Sequence, residues 1–82
     1  GDSMIELGIL DGDYVVASKQ PTANDGDVVI AGIPNDEATV KSFSTRNDQI
    51  VLTPANPTMP PMHFSANEIT IYGKVVSVLR KL

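Results

Sequence analysis

The chain has 82 residues, 41% of them hydrophobic and 20% charged, which bounds it to one small folded domain rather than a disordered segment. It has no Cys, which excludes a disulfide framework and a thiolate zinc site and fits a reducing compartment. Net charge is −4 and the bases (Lys19, Lys41, Arg46, Lys74, Arg80, Lys81) are scattered, so no basic patch can replace counterions on nucleic-acid phosphates.

Residues 3–8, SMIELG, suit one or two helical turns, with Ser3 as N-cap, Glu6 at the capping-box position and Gly8 as the stop. LDGD (10–13) reads as a turn and YVVAS (14–18) as a strand, followed by the loop PTANDGD (21–27). Two β-rich runs, 27–33 and 37–43, flank PND (34–36) and predict a hairpin. STRND (44–48) is a further turn and QIVLTP (49–54) a third consecutive strand, giving an antiparallel meander. Residues 55–64 carry three prolines and are excluded from an interior strand. EITIYGKVVSVLRKL (68–82) is a long β-rich tail, with Gly73 at a bulge or bend. No apolar run approaches the ~18 residues of a membrane span, and the start has no signal-peptide pattern. The fold class is mainly β with one short helix, in a single domain without repeats.

A serine hydroxyl is a weak nucleophile until a base takes its proton. The one histidine, His63, lies in the Pro-rich loop, where a solvated role is the better reading. A lysine serves as base only if burial keeps its amine neutral. Lys41 is the one lysine inside a mostly apolar strand-like run, ATVKSF. With period two, Thr39, Lys41 and Phe43 share one face and Val40 and Ser42 the other. Either face could be the buried one, so Lys41 reads equally as a covered amine beside Thr39 and as a solvated side chain. Ser3 likewise reads as a structural cap, the better reading on local pattern, or as a nucleophile beside free helix-terminal N–H groups. The pairs Asp11/Asp13 and Asp25/Asp27 lack the distal ligand of a calcium loop and read as turn residues, and no phosphate-cradling glycine loop is present. No metal or cofactor is expected.

GDSMIELGILDGD, NDGDVVIA, DEATVKSF, LTPANP and YGKVVSVLRKL, in that order, resemble the C-terminal domain of LexA-type repressors over nearly the whole chain. These are self-cleaving serine–lysine peptidases, a group that also includes UmuD-like proteins and phage repressors. The resemblance implies a LexA/signal-peptidase-like antiparallel β fold, a partly open barrel of hairpins, with the serine on the short helix. It implies Ser3 as nucleophile, Lys41 as general base, the backbone amides of Ser3 and Asp2 as oxyanion hole, and Thr39 as a residue orienting the lysine.

The same resemblance implies a mechanism in which neutral Lys41 takes the proton of Ser3, which attacks an Ala–Gly bond in a segment preceding the domain. RecA filaments on single-stranded DNA favour the cleavable state, and cleavage relieves repression of damage-response genes. Residues 1–82 then form one catalytic and dimerisation domain, N-terminally truncated, without the helix-turn-helix domain and the scissile segment. Operator DNA is bound only through that absent domain, dimers form through the C-terminal strand region, and the location is the bacterial cytoplasm. The one Ala–Gly pair here, Ala31–Gly32, falls inside a predicted strand. GIPNDEATVK carries an extra turn residue relative to the family's tighter hairpin, which a hairpin tip tolerates. A UmuD-like accessory subunit or a phage-repressor oligomerisation module is the alternative, and a signal-peptidase-like membrane enzyme fits less well.

Overall fold

The β-branched runs become six strands: β1 (Tyr14–Lys19), β2 (Val28–Ile33), β3 (Glu37–Arg46), β4 (Gln49–Thr53), β5 (Met62–Ser65) and β6 (Thr70–Leu79). They are seen in a computed structural model that describes residues 2–35 and 37–82. The strands pair in the order β1-β6-β2-β3-β4-β5, every neighbour antiparallel, and the sheet is open at β1 and β5. The mainly-β class and the β2–β3–β4 meander are as expected. β6 returns across the molecule to lie between β1 and β2.

Three local readings are refined. The turn placed at 44–48 is shorter, because β3 runs on to Arg46 and only Asn47 and Asp48 have positive φ, 51° and 64°. Two consecutive left-handed residues make the tight hairpin turn whose twist matches paired strands. Thr45 and Arg46 read as loop residues because this end of the hairpin is exposed, and exposed ladder positions take polar side chains. The Pro-rich stretch ends in an edge strand, β5, with Pro57, Pro60 and Pro61 all outside its ladder. At the hairpin tip 34–36, Asn35 has φ 74°, and Asp36 lies outside the described residues.

The long strand β6 carries two irregularities. Its register skips Tyr72 against β2 and Val76 against β1. Gly73 borders the first, as a bend residue should, and a Cβ there would sit 2.7 Å from the backbone oxygen of Ser18. The β2 ladder ends where Val29 pairs Lys74, so residues 75–79 have β1 on one side and no ladder partner on the other among the described residues.

The main core cluster lies on one face of the sheet. Val29, Ala31, Phe43 and Leu52 form its buried centre, with Ile33, Ile50, Met62, Phe64 and Ile71 packed around them. Register explains the selection: Phe43 pairs Leu52, Leu52 pairs Met62, and Ala31 pairs both Thr39 and Ile71. Lys41 pairs Val29, which is fully buried, and so enters the same row.

Candidate active site

Register decides which face Lys41 takes. Its pairing with Val29, and that of Thr39 with Ala31, put both side chains on the core side with Phe43, and Lys41 is only 8% exposed. The choice that the sequence pattern left even therefore falls to the covered amine. Lys41 Nζ lies within hydrogen-bond distance of three oxygens: Thr39 Oγ1 at 2.5 Å, the Val40 carbonyl at 3.2 Å and Ser3 Oγ at 3.1 Å. Among the described residues it makes no ion pair with a carboxylate. Burial without a compensating charge disfavours the ammonium form, and it holds the amine below the ordinary lysine value of 10.5.

Ser3 reaches this amine across 38 positions of sequence, but it does not cap or sit on a helix as expected. The helix is a single 3-10 turn, Ile5–Leu7, whose N-cap is Met4 without a side-chain cap bond. The Glu6 N–H, the group a Ser3 cap would satisfy, donates instead to the Ala55 carbonyl at 2.8 Å, and the Ser3 hydroxyl is engaged by Lys41. Gly8 does stop the turn, in the left-handed conformation at φ 76° with its N–H on the Ile5 carbonyl at 2.9 Å. The amides of Asp2 and Ser3 have no acceptor among the described residues.

Clefts flank the half-buried Ser3 on two sides. Ile33, Pro54, Met59 and Met62 line one, Ile9, Leu10 and Val15 the other, and Ser3, Ala38 and Thr39 border both. A serine, a desolvated amine within hydrogen-bond reach and free amides beside the serine are the parts needed for nucleophilic attack on a carbonyl. A family model described as Peptidase S24-like matches residues 1–76. The chain belongs to the Peptidase S24-like family.

Among similar proteins of this Peptidase S24-like chain are three LexA repressors. That of Bacillus licheniformis is 51% identical over 80 residues, that of Bacillus subtilis 50% over 80, and that of Alkaliphilus oremlandii 52% over 82. The matches cover 98%, 98% and 100% of this chain but 38% of each relative, so the chain spans well under half their length.

Other groups weighed from the sequence sit elsewhere in the Peptidase S24-like domain. His63 is exposed on β5, and among the described residues the hydrogen-bond partner of Ser3 Oγ is Lys41. Asp13 and Asp27 close turns on the N–H groups of Leu10 and Asn24, and Asp25 accepts from Thr45 across to β3. Among the described residues no group of three or more His, Asp or Glu side chains could hold a metal. No helix among them is long and apolar enough to cross a membrane.

Sequence reasoning missed the loop that seats Ser3. Asn56, buried at 8% exposure, donates through Nδ2 to the Asp2 carbonyl at 2.9 Å, and the Ala55 N–H donates to Met4 Sδ at 3.4 Å. The signal available was Asn56 two residues before Thr58, the spacing of an Asx-turn, whose side chain bonds its own backbone two residues on. Nothing in that spacing points to residue 2.

Proposed function

We propose that this Peptidase S24-like domain is the C-terminal catalytic and dimerisation domain of a LexA-type repressor and acts as a serine–lysine self-cleaving peptidase. The observation that carries the reading is the 3.1 Å approach of Lys41 Nζ to Ser3 Oγ, with the amine buried on the core face and unpaired by any described carboxylate.

The contacts around Nζ support a neutral amine as the base. A neutral amine has two N–H groups and one lone pair. The Val40 carbonyl can only accept, so it takes one N–H, and Thr39 Oγ1 takes the other. The lone pair is left for the Ser3 hydroxyl. Thr39 thereby orients the amine. Ser3 Oγ attacks the scissile carbonyl as Lys41 takes its proton, and the amides of Ser3 and Asp2 receive the developing oxyanion. Lys41 returns the proton to the leaving amine, and water then hydrolyses the acyl-serine with Lys41 again as base.

The substrate in this reading is an Ala–Gly bond in a segment preceding the domain. Its docking across the clefts beside Ser3 completes the burial of Lys41. A RecA filament on single-stranded DNA stabilises the docked state, a population shift rather than a contribution to the chemistry. Cleavage separates this domain from the part of the protein that binds operator DNA and relieves repression, in the bacterial cytoplasm. Dimerisation through the C-terminal strand is supported by the ladder-free side of residues 75–79 and by exposed Val76, Val78 and Leu79.

The test uses the full natural protein, incubated at pH 7 and pH 10 with and without RecA filaments. Cleavage is expected to be slow at pH 7, fast with RecA, and fast at pH 10 without it, where the amine is deprotonated. Ser3→Ala and Lys41→Ala are each expected to lower the rate by at least ~10³-fold, in line with the loss of an acting nucleophile or base. A variant of either residue that cleaves at the normal rate refutes the dyad.

A further inference from the structure

The loop after β4 holds the Ser3 segment in a way the chemistry described so far does not use. Asn56 Oδ1 accepts both the Thr58 N–H at 2.9 Å and the Thr58 hydroxyl at 2.7 Å. A backbone N–H can only donate, so the oxygen of the Asn56 amide must face Thr58 and its NH2 group must face the other way. There it meets the Asp2 carbonyl at 2.9 Å. The other bond to that carbonyl, from the Ile5 N–H, is longer at 3.4 Å.

The Asp2 carbonyl and the Ser3 N–H belong to one peptide unit. In a planar trans unit these two groups point in opposite directions. Fixing the oxygen on Asn56 therefore fixes the direction of the Ser3 N–H, which has no acceptor among the described residues. A donor aimed before reaction need not reorganise as negative charge develops, so its stabilisation of the oxyanion is available without that cost.

We propose that Asn56 is a positioning residue for the oxyanion hole: it locks the Asp2–Ser3 peptide so that the Ser3 N–H meets the oxyanion. This rests on the reading of Ser3 as nucleophile and adds a group that touches neither substrate nor the reacting atoms.

The test labels Ser3 of this chain with an alkyl phosphonofluoridate. The Ser3 Oγ–P bond forms as P–F breaks, fluoride leaves with the electron pair, and the hydroxyl proton passes to Lys41. The phosphoryl oxygen takes the oxyanion position. The midpoint of the rate–pH profile reports the base, and its plateau reports the hole. Asn56→Leu is nearly isosteric and introduces no charge near Lys41. It is expected to lower the plateau ~10- to 100-fold, somewhat less than the ~10²–10³ typical of removing an oxyanion donor outright, and to leave the midpoint in place.

If Asn56→Leu does not fold, Thr58→Val removes one of the two bonds that orient the Asn56 amide. It is then expected to give a smaller drop at the same midpoint. An unchanged plateau in the folded variant overturns the proposal. So does a shifted midpoint, because general loosening of the site moves the environment of Lys41 as well. Failure of the underlying reading has a different signature: wild-type Ser3 stays unlabelled, or is labelled as fast in Lys41→Ala.

Discussion

Lys41 is a side chain that is costly to bury. Its folded value lies below 10.5, so between the two values the unfolded chain binds more protons and stability rises with pH. The penalty of burying the amine is thus present at pH 7 and is relieved as pH approaches 10.5. Lys41→Met keeps the length of the side chain without the charge. It is expected to melt at a higher temperature than wild type at pH 7, with the difference narrowing toward pH 10.5. Equal melting temperatures at pH 7 would mean that the amine is not desolvated. The face shared by Thr39, Lys41 and Phe43 was legible from period-two spacing alone, because a strand allows only two faces. Which face is buried was not, since that depends on Val29 and Ala31 pairing from another strand. The Ser3 cap failed for a related reason, as the amide it would have satisfied is taken by Ala55, 49 positions downstream of Glu6 by difference of their numbers.

The strands themselves were the most legible elements, because β-branched runs flanked by Gly, Pro, Asn and Asp mark both body and boundary. Errors gathered where exposure, not propensity, sets the sequence: the polar end of β3 and the short edge strand β5. β6 was legible as a strand and as bent, but its position between β1 and β2 depends on a chain reversal that leaves no local pattern. Gly73 tests that placement. A Cβ would meet the Ser18 carbonyl at 2.7 Å, and backbone cannot swing aside as a side-chain tip can. Gly73→Ala is expected to cost about 1–3 kcal/mol, the usual range for overpacking, measured by urea unfolding. An unaltered midpoint would show that β1 does not cross so close to β6.

Across the whole molecule, the end of β6 is tied back to the segment that follows the Ser3 turn. Arg80 donates to both carboxylate oxygens of Asp13, at 2.9 and 2.8 Å, and to the Gly8 carbonyl at 2.7 Å. The Arg80 guanidinium, together with the Leu10 N–H, holds the Asp13 carboxyl below the usual carboxylate range. A depressed folded value contributes stability above the ordinary carboxylate value of about 3.9, and the contribution is lost as pH falls through the lower folded value. Asp13→Asn is expected to melt below wild type at pH 6, with the gap closing as the pH drops toward 3 and below. A gap of constant size would exclude titration of Asp13 as its cause. No sequence pattern announced this tie, which joins residues 67 positions apart. The family-level blocks did, by contrast, bring Ser3, Lys41 and Thr39 to attention together, and the fold sets them within hydrogen-bond reach.

The claim on which the rest depends is that Lys41 can serve as a neutral base for Ser3. Its titration, followed at the Lys41 Cε resonance by NMR in the intact chain, reads that directly. A midpoint below 10.5, tracking the pH at which Ser3 becomes reactive, is the expected result. A midpoint at or above 10.5 would contradict it, because the amine would then be held as a cation and have no lone pair to offer.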